Sequence, residues 1–150
     1  MPASSAVADE KKDQTMSNQV SRMNPQNLPD AGKVGYSQIS IAEPGRMAFV
    51  SGQVAWRRDG GAVPGDLAGQ AKIVIENLEA ALQALGSRPH DIVQMRIYAT
   101  DLRAKTQAMV MGLLTLFLDG AQPSITGIGV TALATPDLQL EIEMIVRVPG

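Results

Sequence analysis

Apolar and polar residues first alternate at Ser37-Gln38-Ile39-Ser40-Ile41, after a polar start without periodicity. Pro44-Gly45 then marks a turn, and Met47-Ala48-Phe49-Val50-Ser51-Gly52-Gln53-Val54 reads as a second strand. The two runs together predict an antiparallel hairpin. Gly60-Gly61 and Pro64-Gly65 make a loop, and Asp66 is placed to cap a helix. From there the period changes. Leu67, Ala71, Val74, Leu78, Leu82 and Leu85 recur at helical spacing, with Gln70, Glu76, Glu79 and Gln83 elsewhere around the wheel, and Gly86 closes the helix.

Asp91 to Thr100 predicts a strand ending near Asp101. A second helix follows from about Lys105 to Leu118, stopped by Asp119-Gly120. Its Met109, Val110, Met111, Leu113, Leu114, Leu116, Phe117 and Leu118 leave little polar face, so either the core or a subunit contact is expected to cover it. Ser124 to Leu133 reads as a strand loosened by Gly127 and Gly129, and Leu138 to Val148 as the last strand. The order β-β-α-β-α-β-β predicts an α+β domain with two helices on one face of a mainly antiparallel sheet. On the last strand Leu138, Leu140, Ile142, Met144 and Val146 share one face, and Glu141, Glu143, Ile145 and Arg147 the other. The first face suits the helices; the second suits another subunit.

Composition then removes whole classes of chemistry. With no cysteine, disulfides, thiolate nucleophiles and thiolate metal sites are excluded together. A single histidine, His90, excludes a metal site built on several imidazoles of one chain, and it falls in the turn Ser87-Arg88-Pro89-His90-Asp91, where an exposed residue is expected. The net charge of −2 and 3% aromatic content argue against nucleic acid as a partner, and the charge argues equally against an anionic membrane. No run approaches a membrane span. Residues 1–27 are polar and carry the charged run Asp9 to Asp13, so they read as a disordered tail before a single domain at 28–150. Met16 and Met23 are alternative starts. No apolar stretch follows a basic one there, so the tail does not read as a secretory signal, and a cytoplasmic protein is expected.

Several landmarks then fall into one order. Gly35-Tyr36-Ser37-Gln38, Val50-Ser51-Gly52-Gln53, Pro64-Gly65-Asp66, Ala71 through Gly86, Tyr98-Ala99-Thr100-Asp101, Pro123 and Leu140-Glu141-Ile142-Glu143 resemble the Rid family, also called YjgF-type or L-PSP proteins, from about Leu28 to Val148. The resemblance implies a chorismate-mutase-like fold and a cofactor-free homotrimer whose ligand clefts lie between subunits. It implies hydrolysis of reactive imines and enamines to ketones, with release of ammonia. In such proteins an arginine in a Pro-x-Arg-Ser strand grips the substrate carboxylate, a glutamate of the last strand positions water, and a tyrosine near the N-terminus shapes the cleft.

Carried over by position, Tyr36 matches the tyrosine, Ser51 and Gly52 the cleft-lining pair, and Glu141 the water-binding glutamate. The arginine position falls on Ile125 in Pro123-Ser124-Ile125-Thr126, which places the chain in an arginine-lacking subgroup. A guanidinium holds a carboxylate through two charge-assisted hydrogen bonds, and an isoleucine cannot replace it. Arg96, which shares a strand face with Tyr98 and Thr100, is the first deputy, with Arg57 and Arg58 behind it. Thr126 and Gly127 are expected to line the same cleft as Ile125.

Each residue also has a plainer reading. Glu141 is either a water anchor or an interface glutamate paired with Arg147 or a neighbouring subunit. Tyr36 is a pocket wall before it is a donor, Ser51-Gly52 a strand kink, Arg96 an ion-pair partner, and Glu143 structural. The expected activity is hydrolysis of a small reactive imine or enamine other than a simple 2-imino acid. The contrasting expectation is a non-catalytic trimer that binds a metabolite or protects other proteins.

Overall fold

A computed structural model of the chain describes residues 19–150. The elements run β1 (Val20–Met23), β2 (Ile39–Ala42), β3 (Met47–Gln53), α1 (Leu67–Leu85), β4 (Ile92–Ala99), α2 (Ala104–Leu118), β5 (Ser124–Gly129) and β6 (Leu140–Arg147). Short 3-10 turns occupy Gly32–Val34 and Pro89–Asp91. Four strands form one sheet in the order β3-β6-β4-β5, and β1 pairs with β2 in a separate ribbon. Only β4 and β5 are parallel within the larger sheet. They have to be joined by a crossover, and α2 supplies it.

Asp66 starts α1 as predicted, its carboxylate accepting from the Gly69 amide, and Gly86 ends it with a φ of 63°. Ala71, Val74, Leu78 and Leu82 of α1 and Val110, Leu114, Phe117 and Leu118 of α2 meet Met95, Ile97, Leu140, Ile142, Met144 and Val146 of the sheet. Both helices thus cover one sheet face, and the alternation read along β6 is the alternation observed. The apolar α2 is only partly absorbed by this core, since Leu116 remains 79% exposed.

Four expectations change. The hairpin between β2 and β3 does not form. β2 pairs with β1, while β3 lies against β6 with Met47 opposite Arg147 and Phe49 opposite Ile145. Arg147 fixes this parting. Its buried guanidinium donates to the carbonyls of Glu43 (2.9 Å), Pro44 (2.7 Å) and Val148, clamping the turn between the two strands. That engagement also removes Arg147 as a partner for Glu141 within the chain. Second, the stretch read as a tail contains β1; Arg22 donates to Ser40 Oγ at 2.7 Å and to the Ile92 carbonyl at 2.6 Å, tying the ribbon to the main sheet. Residues 1–18 of that tail lie outside the described residues. Third, Gln70 is fully buried. It donates to the Pro64 and Asp137 carbonyls and accepts from the Gln139 amide. Fourth, β5 ends at Gly129 and not at Leu133. Gln70 satisfies part of the backbone beyond it, where no sheet ladder does.

Candidate functional site

The sheet divides the candidate residues. Ile142 and Met144 of β6 point to the helices, so Glu141 and Glu143 point to the open face, opposite Tyr98 and Arg96 of β4 in the strand register. Beside them β3 carries a bulge: Val50 stands opposite Met144 and Gln53 opposite Ile142, so Ser51 and Gly52 together span one partner residue. The Glu141 side chain lies over Gly52. A Cβ there would come within 2.7 Å of Glu141 Cδ and 2.8 Å of Cγ, and closer still to Oε1. A Cβ at position 52 would therefore displace the carboxylate, and a kink alone does not account for the glycine. Gly52, Gln53, Trp56, Asn77, Ala134 and Glu141 border a cavity of about 300 Å³.

Tyr36 and Ile125 meet elsewhere. Ile125 pairs with Met95 in the β4–β5 register and Thr126 with Arg96, so Ile125 faces the helices and Thr126 the open side. Tyr36, Ile97, Leu102, Thr106, Met111 and Ile125 line a cavity of about 590 Å³. No lysine, arginine, aspartate or glutamate is among the described residues around it. Gly127 lines this cavity with Ile125, whereas Thr126 does not. The expectation that Ile125 and Thr126 share a cleft wall is thereby corrected within one chain, because successive strand residues alternate faces. Ser51 is exposed and borders neither cavity.

Arg96 lies on the open face, away from Ile125. Its Nη1 sits 3.3 Å from Glu143 Oε1, and the Tyr98 hydroxyl donates to the same oxygen at 2.7 Å. That hydrogen bond, reinforced by partial burial and the Glu143 charge, raises the Tyr98 phenol above its ordinary value of 10.0. Arg57 is held by Glu76 at 2.9 Å, and Arg58 and His90 are exposed. At the far end of β4, Arg103 donates to Asp101 through Nε and Nη2 and from its backbone amide, which lowers the Asp101 carboxyl to about 2.

Two residues of these surroundings were not singled out from sequence, Trp56 and Asn77, and Tyr98 was named only as a landmark and as a neighbour of Arg96 on its strand face. Asn77 stands on α1 and donates to the carbonyls of Val54 (3.2 Å) and Trp56 (3.0 Å). The one signal available for Trp56 was its being the only tryptophan, placed directly after the Ser51-Gly52 strand. No group of three or more potential metal ligands and no helix able to cross a membrane occurs among the described residues.

The arrangement supplies a carboxylate over a glycine on one flank and an uncharged, largely apolar chamber on the other. Residues 26–148 match the model of the endoribonuclease L-PSP family. The chain is 35% identical over 105 residues to the RutC family protein YjgH of Escherichia coli (strain K12), covering 70% of this chain and 78% of that protein. It is 34% identical over 104 residues to TdcF of the same strain, whose name assigns it provisionally to the reactive intermediate deaminases, covering 67% and 78%. Among solved structures, YyfB of Yersinia pestis, described as a conserved Rid family protein of unknown function, aligns with a TM-score of 0.81 at 33% identity. That alignment covers 86% of this chain and 98% of YyfB.

Proposed function

The chain belongs to the endoribonuclease L-PSP family, the Rid or YjgF-type proteins, and we propose that it is a homotrimeric hydrolase that deaminates a small, uncharged imine or enamine in clefts between subunits. One observation carries this reading. Tyr36 with Ile125, and Gly52 with Glu141, lie on opposite faces and toward opposite edges of the same sheet. A single chain leaves each half open, and packing the open flank of one copy against the chamber of the next would close both.

In such a cleft Glu141 orients a water and takes up its proton as the oxygen attacks the C=N carbon. Glu141 passes that proton to the nitrogen, giving a neutral carbinolamine. Its hydroxyl proton then moves to the amine as the C=O forms and the C–N bond breaks, so imine and water give ketone and ammonia. An enamine enters the same path after a proton shift to its imine. Ile125 sets the substrate class. Losing one member of a buried charge pair costs about 2–5 kcal/mol. A substrate carboxylate in the chamber would meet no described cation, whereas an uncharged substrate would bury apolar surface against Ile125, Ile97 and Met111.

Ammonia release from enzymatically generated imines tests the reading, using the native protein, Glu141→Ala and Ile125→Arg. The native protein should turn over an uncharged imine faster than the matching 2-imino acid. Glu141→Ala should lose turnover, and Ile125→Arg should shift preference toward the acid by about 30-fold or more. A native protein inert toward both, with Ile125→Arg also inert, would remove the hydrolase reading.

A further inference from the structure

We propose that Trp56 is the residue that selects the ligand in the Glu141 half-site, offering its indole face to a planar, uncharged, conjugated group. The inference deepens the hydrolase reading of the same cleft and rests on it for the identity of that group.

Trp56 is 49% exposed, yet the segment carrying it is not a loose loop. Val54 and Ala55 are buried with Ile73 and Leu138 in a small core of their own. The Trp56 amide donates back to the Val54 carbonyl at 2.7 Å, making a tight turn. Asn77 holds the carbonyls of both residues, and its neighbour on α1, Glu76, holds Arg57 at 2.9 Å. Consecutive α1 residues thus grip the chain on both sides of the indole. The backbone is held on both sides while Trp56, half exposed, borders the same cavity as Glu141. A tryptophan has two side-chain torsions and a large π-face, so binding on it costs little ordering and rewards a flat partner.

Charge narrows the partner further. Glu141 is the only charged side chain among the described residues bordering this cavity, Arg57 being engaged by Glu76. A carboxylate ligand would be repelled here as it is left unmatched beside Ile125, so two separate observations exclude an anion. A saturated chain would gain no stacking. A conjugated, neutral C=C–C=N or amide-like group satisfies both conditions at once.

Calorimetric titration of the assembled protein with sorbamide, hexanamide and sorbate tests this, the three probes sharing six carbons and differing in conjugation or charge. The native protein should bind sorbamide about tenfold more tightly than either other probe. Trp56→Ala should abolish the preference over hexanamide while keeping that over sorbate, which Glu141 sets, and Trp56→Phe should keep most of both. Equal binding of sorbamide and hexanamide by the native protein, or an undiminished preference over hexanamide in Trp56→Ala, would overturn the proposal. So would a Trp56 fluorescence that acrylamide cannot quench in the assembled protein, since the indole would then be buried in a subunit contact. A clear sorbamide preference without ammonia release from any imine would leave the Trp56 assignment standing and remove the hydrolase reading. Ammonia release without the preference would do the reverse.

Discussion

Replacing Gly52 by alanine isolates the contact on which the Glu141 half-site depends. The added Cβ would lie 2.7 Å from Glu141 Cδ and 2.8 Å from Cγ, and the nearest atoms to it all belong to Glu141. Carbon atoms settle at about 3.5–4.0 Å, so the carboxylate has to retreat by about 1 Å. Because that end of the side chain is flexible, the cost is that of an off-rotamer torsion, about 0.5–1.5 kcal/mol. Against it stands the lower entropy of an unfolded chain with alanine in place of glycine, about 0.4–1 kcal/mol. Gly52→Ala should therefore be close to neutral for stability in the native background. In a Glu141→Ala background the clash is gone, and the same substitution should stabilise by about 0.4–1 kcal/mol. Urea denaturation of the four proteins, at one protein concentration, measures a coupling of about 1 kcal/mol. Turnover should respond differently, since a 1 Å displacement of a positioned group can lower it about 100-fold. An equal stability change in both backgrounds would place the collision elsewhere, and full turnover by Gly52→Ala would show that the carboxylate's position does not matter.

Arg147→Met should cost about 2–4 kcal/mol in urea denaturation, because a buried guanidinium holds the carbonyls that separate β2 from β3. Tyr98 titrates above 10.0 in the fold, so its contribution is complete below pH 10 and disappears as pH rises beyond it. Stability of Tyr98→Phe measured from pH 9 to 11 should accordingly fall less steeply than that of the native protein. Asp101, lowered from 3.8 to about 2, contributes above pH 3.8 and loses that contribution as pH falls toward 2. Asp101→Asn should flatten the acid limb of the stability profile over that interval and lower stability at neutral pH by the same amount, which stays small because both partners are exposed.

The helices and the paired faces of β6 were legible because period and capping chemistry are local: Asp66, Gly86 and the Leu140-Ile142-Met144-Val146 alternation each act within a few residues. Strand partners were not. Pro44-Gly45 looks like a hairpin turn, and nothing near it announces that Arg147, about a hundred residues later, will clamp it open. The same remoteness hid β1, whose four residues gain their place from pairing with β2 and from the reach of Arg22 to Ile92. At the site, Glu141 and Gly52 could be paired by family pattern. Which of Ile125 and Thr126 meets the helices needed the parallel register with β4, which a glycine-loosened strand does not reveal by itself. Trp56 escaped because a lone aromatic in a loop carries no period. Its meaning comes from Asn77 and Glu76, set beneath it by α1.

Under the proposed function each complete cleft takes Glu141 from one chain and the Ile125 chamber from another. Mixed trimers test it: Glu141→Ala chains and Ile125→Trp chains, each inactive alone, are unfolded together, refolded at equal amounts and shown to hybridise by native mass spectrometry. Ammonia release should then reappear at about one quarter of the native rate, because each cleft draws its two halves independently from two different chains in a closed ring. Hybrids that form and remain inactive would contradict the shared cleft and place both halves of the site within a single chain.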